Sequence, residues 1–227
     1  DNPPQNNQDG GVPSGNIRSV LLYRLDRNLD LVSPAQASEW FEQNPGEIEF
    51  SNNPMHIGES SDVFYGSRKP AAWLLTQNGH PFIVITAHLI SQGKNDPLWG
   101  RRQPILRPEE DQRILQTQAI TEFTNKIQGL NPNIPILIVG DLNDLPWSEA
   151  VRVLENAGFT NLAKLDEESE RFSYIFEGDA QQLDYVLVDN QNLNQIIQAR
   201  FIHLNTHESN IYQVSDHDPI VIEMHLR

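Results

Sequence analysis

The stretch Ile134–Trp147, IPILIVGDLNDLPW, decides the fold of this chain. Its apolar residues Ile136–Val139 are typical of a short strand that is buried on both faces. Asp141, Asn143 and Asp144 follow at the carboxyl end of that strand, which is the edge where open α/β sheets bind ligands. Asp141 and Asn143 are two positions apart, so on an extended backbone they point to the same side. A strand end capped by turn-forming residues is an equally open interpretation of this stretch alone.

Length and composition restrict the class of protein. The chain has 227 residues, 38% of them apolar, and 15 prolines, which favours one loop-rich α/β domain with a real core. It has no cysteine, which excludes disulfides and thiolate metal sites, and it lacks the long apolar run that a membrane helix needs. The net charge of −15 excludes a broad basic face for nucleic acid, so a polyanionic substrate would need a local basic patch or divalent cations.

The elements around the central stretch predict a mixed sheet. Asn78-Gly79 between two apolar runs predicts a hairpin, and Pro108 to Gly129 has the start, end and apolar spacing of a long helix. The predicted core-facing stripe of this helix comprises Ile114, Leu115, Gln118, Ala119, Glu122, Phe123 and Ile127. Ser148–Ala157 predicts a second helix. Further strands are predicted at Ser19–Leu25, Phe172–Phe176, Leu183–Val188, Ala199–Leu204 and Ile220–Leu226.

Ser91–Pro108 is a basic loop in an acidic protein. It carries four basic residues against one acidic residue, a local charge of +3. Trp99, Arg101 and Arg102 lie within it. Basic residues next to an aromatic ring suit a phosphate backbone and a stacked base, although a solvated loop explains them equally well.

Four motifs place polar groups on or at the end of apolar strands. They are His88 in TAHL, Asp141 and Asn143 in GDLND, Asp184 in QLDYVLV, and Asp216-His217 in SDHDP. Asp184 lies on a strand suited to burial, and a buried carboxylate needs a partner, for which a histidine ring is suitable. Together these groups suit phosphodiester hydrolysis: a carboxylate holds a divalent metal, a histidine oriented by a carboxylate activates water, and an amide and second histidine hold phosphate oxygens.

In these motifs and their order, the chain resembles the endonuclease/exonuclease/phosphatase superfamily, which has a deoxyribonuclease I-like fold. The resemblance covers roughly Arg18–Leu226 and is greatest to bacterial extracellular or surface-attached nucleases. It implies an α/β (α+β) sandwich of two mixed β-sheets flanked by helices, formed by residues 16–227 after an irregular N-terminal loop, residues 1–15. It also implies Mg²⁺ (or Mn²⁺ or Ca²⁺) as cofactor, a nucleic acid substrate, DNA or RNA, and an extracellular or cell-surface location.

The resemblance also implies roles for individual residues. His217 would be the general base and Asp184 would orient it. Asp141 and Asn143 would position the nucleophile and the phosphate, and His88 would stabilise the phosphate or assist the leaving group. The metal ligands would be Asp216 and Asp141, and the substrate-binding residues would be Arg68, Asn16 and Arg18. The composition of the basic loop adds Trp99, Arg101 and Arg102 as predicted substrate contacts.

The N-terminal part departs from the family pattern. The family's first strand, with its Asn, and the next motif, with its metal-binding Glu, have no counterpart here, so we expect the first strand and helix of the fold to be lacking. The chain has neither an initiating Met nor a signal peptide. Two alternatives therefore stay open: a phosphatase or sphingomyelinase of the same superfamily, and an inactive copy that serves as a surface binding module.

Overall fold

The computed structural model describes residues 18–34, 47–58, 61–93, 96, 99–208 and 212–226. Seven strands form a central sheet: β1 (Leu29–Leu31), β2 (Met55–His56), β3 (Ala71–Gln77), β4 (His80–His88), β5 (Ile136–Asp141), β6 (Phe159–Asn161) and β9 (Asp184–Asp189). Two two-stranded sheets accompany it, one of β7 (Tyr174–Phe176) and β8 (Asp179–Gln181), the other of β10 (Ile196–Phe201) and β11 (Ile220–Met224). The helices are α1 (Pro108–Leu130) and α2 (Glu149–Asn156).

The central sheet is mixed, as predicted. Its order is β1-β3-β4-β5-β9-β6, with β2 also paired to β3. Within the described strands, β4 and β5 run parallel and the other pairs run antiparallel. The long connection between β4 and β5 contains the basic loop and α1, as a parallel crossover requires. The β3–β4 turn has positive φ at Asn78 (51°) and Gly79 (82°), which confirms the hairpin.

The sheet is covered on both faces. On one face, α1 and α2 bury Ile120 and Leu154 in one cluster with the sheet residues Ile85 and Ile138, all of them without solvent exposure. Burial of side chains of this size contributes about 1.5–3 kcal/mol each. On the other face, β10 and β11 pack over a second cluster that includes Val188. A two-layer sandwich is therefore present, but within the described residues the second layer is a two-stranded antiparallel sheet, where a second mixed sheet was predicted.

The predicted strand at Ser19–Leu25 is wrong. The structure has no strand there, and a 3₁₀ turn begins at Leu25 and ends at Arg27. Leu22 is 90% exposed and Leu25 is 73% exposed. Within the described part of the chain no strand pairs with this segment, so its backbone lacks the ladder that would hold it extended.

The predicted core face of α1 is also partly wrong. Phe123 and Ile127 are buried as expected, but Leu115 is 49% exposed. The first half of the helix instead buries Arg113 and Gln116. These polar side chains are buried because they bind loops of the neighbouring sheet, as described below.

The structure does not test the predictions for the start of the chain. The N-terminal loop, residues 1–15, and Asn16 lie outside the described residues, so the proposed domain boundary stays a prediction. Of the helices that the structure describes, none combines the length and the apolar character that would let it cross a membrane.

Candidate active site

Strand register places three of the predicted site residues in one row. His88, at the end of β4, pairs with Asp141 on β5, and Asp141 pairs with Asp184 on β9. Neighbouring strands lie about 4.8 Å apart, so the three side chains share one edge of the sheet. This row is the framework of the candidate site.

His217 joins the row through a short hydrogen bond. Its Nδ1 lies 2.5 Å from Asp184 Oδ2. The backbone on both sides is held as well, because His217 N–H donates to Ser215 Oγ (3.1 Å) and Asn205 Nδ2 donates to the His217 carbonyl (2.6 Å). The ring of Tyr174 lies against the imidazole, with centroids 4.9 Å apart. Use of Nδ1 by Asp184 directs Nε2 to substrate or water.

The environment raises the pKa of His217. The hydrogen bond to Asp184 is the largest cause, and burial of the ring opposes it. A histidine that is held by a carboxylate and has an elevated pKa is a stronger base once neutral. The pair therefore suits general base catalysis.

His88 and Asp141 are perturbed in the opposite directions. Burial, and next the charge of Arg68, lower the pKa of His88 to about 4. Burial, and next the charge of Asp184, raise the pKa of Asp141 to about 6. His88 Nε2 lies 3.5 Å from Asp141 Oδ2, but at neutral pH the imidazole is uncharged, so the contact is not an ion pair. A neutral imidazole beside a carboxylate can donate a hydrogen bond to a phosphate oxygen.

The GDLND turn fixes Asn143 beside Asp141. Asn143 N–H donates to Asp141 Oδ1 (2.8 Å), and its Nδ2 donates to Asp141 Oδ2 (3.2 Å) and to the Leu89 carbonyl (3.1 Å). Asn143 has φ of 52°, a conformation that asparagine tolerates better than most residues. Before it, Gly140 has φ of 128°, and a Cβ there would lie 2.0 Å from the Ala87 carbonyl oxygen. The turn therefore needs glycine at position 140 and favours asparagine at position 143.

A buried ion pair lies beneath this turn. Arg113 of α1, with no solvent exposure, donates from Nε to Asp144 Oδ2 (2.8 Å) and from Nη1 to the Ile90 carbonyl (3.2 Å). Tyr185 Oη donates to the Asp144 carbonyl (2.8 Å). Arg113 thus connects the loop after His88 to the turn that carries Asn143.

Gln116, one helical turn after Arg113, makes a related link. Its Oε1 accepts from Ile90 N–H (3.1 Å) and its Nε2 donates to the Val63 carbonyl (3.2 Å). Sequence reasoning missed both residues. The available signal was their spacing of three on a helix, which puts them on one face.

Arg68 lies close to the row, as predicted. Its charge lowers the pKa of both His88 and Asp141, and burial lowers its own pKa. Its Nε is buried, and the N–H there donates to no acceptor among the described residues. A half-buried guanidinium group with an unused donor suits an anion such as phosphate.

The remaining predicted substrate contacts are less well placed. Trp99 is 97% exposed, and Arg102 Nε lies 3.7 Å from Asp96 Oδ2, so part of the loop's positive charge is offset internally. Arg101 is exposed. Arg18 is half-buried at the start of the described residues, and its role stays a prediction, as does that of Asn16.

The row brings strand-end carboxylates and histidines together at one edge of the mixed sheet. The model of the endonuclease/exonuclease/phosphatase family matches residues 19–217. The chain belongs to this family, whose members are hydrolytic enzymes that include nucleases and phosphatases. Comparison with curated protein sequences gave no significant match.

Solved structures confirm the fold. A mannosyl-6-phosphatase from Bacteroides thetaiotaomicron has a TM-score of 0.56 and 12% identity, over 89% of this chain and 68% of that one. A functionally unknown conserved protein from Enterococcus faecalis has a TM-score of 0.54 and 15% identity, over 89% and 69%. A 3′-5′ exonuclease from Neisseria meningitidis has a TM-score of 0.54 and 17% identity, over 76% and 70%. At these identities the likeness concerns the fold alone.

Members of the family generally use divalent metals. In the described ranges, no group of three or more His, Asp or Glu side chains has a spacing that would hold a metal ion. Mg²⁺, however, is commonly held by one or two carboxylates together with water and substrate phosphate. Asp141 and Asp184 are register partners on β5 and β9, so two carboxylates lie side by side, and a cation would offset their repulsion. The donor set therefore fits Mg²⁺ bound in that manner. Asp216, the other predicted ligand, is exposed and raises the pKa of His217; its role as a ligand stays a prediction.

Proposed function

We propose that this protein is a nuclease that hydrolyses phosphodiester bonds, with DNA as the first substrate to test and RNA as the second. The observation that carries the proposal is the 2.5 Å bond from His217 to Asp184, set beside Asp141 in the strand row. The site brings together a base, His217, groups that stabilise phosphate charge, His88 and Arg68, and a carboxylate, Asp141.

His217 takes a proton from the attacking water through Nε2, while Asp184 stabilises the imidazolium that forms. Neutral His88 faces the non-bridging oxygens, and Arg68 offsets the phosphate charge from the side. Asn143, whose Nδ2 donates to Asp141 and to the Leu89 carbonyl, holds the Asp141 carboxylate in position. Asp141 orients the water and would hold Mg²⁺, which would neutralise the charge that develops on the phosphate.

The basic loop supports a polymeric substrate. The loop begins where Gln92 Nε2 donates to the Asn143 carbonyl (3.0 Å), so it leaves directly from the site. Arg101 and Arg102 then follow on an exposed surface of otherwise acidic protein. A phosphate backbone that extends past the scissile bond would meet these residues. An extracellular or cell-surface location forms part of the proposal and rests on the resemblance to secreted nucleases.

The test is cleavage of supercoiled plasmid DNA with Mg²⁺, Mn²⁺, Ca²⁺ or EDTA. His217→Ala should abolish cleavage and leave the melting temperature nearly unchanged. His80→Ala, at the exposed start of β4, is the matched control and should cleave as the wild type does.

Three results would contradict parts of the proposal. Cleavage that persists in His217→Ala would remove this histidine from the mechanism. Hydrolysis of phosphate monoesters without cleavage of DNA or RNA would identify a phosphatase. Absence of hydrolysis on every substrate would favour the binding-module alternative.

A further inference from the structure

The hairpin β7–β8 presents a row of aromatic rings that starts at His217. Tyr174 lies 4.9 Å from the His217 ring, and Phe176 lies 6.4 Å from the Tyr174 ring at an interplanar angle of 15°. The two aromatic residues are two positions apart on β7, so they share one face of the hairpin. Phe176, the outer member, is 51% exposed. We call Tyr174 and Phe176 the aromatic pair.

The aromatic pair is held firmly relative to the catalytic histidine. Tyr174 forms a β-bridge with His217. The preceding residue, Ser173, accepts at Oγ from the N–H groups of Leu183 (3.2 Å) and Asp184 (3.0 Å). A two-stranded hairpin by itself is marginally stable, so these bonds fix its position. The same segment therefore places both the carboxylate that orients His217 and the exposed rings.

We propose that the aromatic pair is a stacking subsite for one nucleobase, next to the phosphate that is attacked at His217. This inference rests on the proposed nuclease function and names the part of the substrate that the site would recognise. Two nearly parallel rings, the outer one exposed, are suited to base stacking beside a phosphate-binding site, and such stacking contributes about 1–3 kcal/mol per base and tolerates any sequence. Base faces are accessible in single strands and at frayed ends, so the subsite favours single-stranded substrate.

The charge of the hairpin turn limits the subsite to one base. Glu177 and Asp179, both exposed, follow Phe176 directly. Two carboxylates at this point repel a phosphate backbone that would continue over the turn. The polymer must therefore leave the hairpin after one stacked base.

The test measures how substitutions in the protein change its affinity for two oligonucleotides, one with bases and one without. Binding of a fluorescein-labelled octamer of deoxythymidine is compared with binding of an abasic deoxyribose-phosphate octamer, by anisotropy in EDTA, with the oligonucleotides checked for integrity on a gel. Phe176→Ala should weaken binding of the deoxythymidine octamer about 5- to 150-fold and change that of the abasic octamer less than about 2-fold. Phe176→Trp should restore tight binding of the octamer that carries bases.

Ile175→Ala is the matched control. Ile175 is adjacent on β7, points to the opposite face and is 39% exposed, so its removal should affect neither octamer. Equal weakening of both octamers by Phe176→Ala, or no weakening of either, would overturn the inference.

Failure of the inference and failure of the proposed function are distinguishable. If the wild-type protein cleaves no nucleic acid but Phe176→Ala still weakens binding of the deoxythymidine octamer more than that of the abasic octamer, the nuclease proposal fails and the base subsite stands. If the wild type cleaves DNA but Phe176→Ala changes the binding of both octamers equally, the nuclease proposal stands and the proposed subsite is wrong.

Discussion

The Asp141 carboxyl group makes the folded protein sensitive to pH. Burial, and next the charge of Asp184, raise its pKa from 3.8 to about 6, and its side chain is 14% exposed. In the unfolded chain the pKa returns to its ordinary value. Since the folded pKa is the higher one, Asp141 contributes stability that is fully present below about pH 4 and is lost as the pH rises through about 6.

Asp141→Asn removes this ionisation. The gap of about 2 pKa units corresponds to about 3 kcal/mol, of which about 2 kcal/mol titrates between about pH 4.5 and about pH 8. The free energy of unfolding of the variant, relative to that of the wild type, should therefore rise by about 2 kcal/mol over this interval. Asparagine also loses the acceptor for Asn143 Nδ2, but that cost is constant with pH and does not alter the slope.

The assay is urea denaturation followed by circular dichroism at several pH values, with EDTA present so that metal binding does not contribute. Asp30→Asn, an exposed carboxylate on β1, controls for the loss of one surface charge. Parallel stability curves for the wild type and Asp141→Asn would refute the reasoning. They would show that Asp141 ionises in the folded protein as easily as in water.

Three further predictions concern the site and its support. If His217 is the proposed base, Asp184→Asn should cut kcat/KM by about 10²–10⁴ and move the acid limb of its pH profile to lower pH, because His217 loses the bond that raises its pKa; an unmoved limb would argue against this pairing. Arg113→Met should lower the free energy of unfolding by about 3–5 kcal/mol by leaving the Asp144 charge buried alone, and adding Asp144→Asn should recover part of the loss in urea denaturation. Arg101→Ala and Arg102→Ala together should flatten the salt dependence of single-stranded DNA binding by about 0.7 per lost phosphate contact, and an unchanged slope would make the loop a solvated one.

The sequence predicted the central framework because its signals are local. An apolar run that stops at Asp141 predicts a buried strand with polar groups at its end, and the structure confirms it in β5. Asn78-Gly79 predicts a hairpin because few other residues tolerate two positive φ angles. The expectation that Asp184 needs a partner followed from its place on an apolar strand, and its bond to His217 confirms it.

Tertiary structure decided what depends on residues far apart in the chain. The local sequence gives no reason to bury Arg113 on α1. It is buried because the fold brings Asp144, 31 residues later in the chain, within hydrogen-bond distance of it. Conversely, the apolar Ser19–Leu25 segment has the composition of a strand, but a strand needs a neighbour, and within the described residues none pairs with it. Periodicity gives the face of an element that prefers burial; whether that face meets a loop, a sheet or water is set by contacts that no local pattern contains. The sequence by itself therefore determined the chemistry at the strand ends, while the buried polar support beneath them and the aromatic pair beside His217 were decided only by the fold.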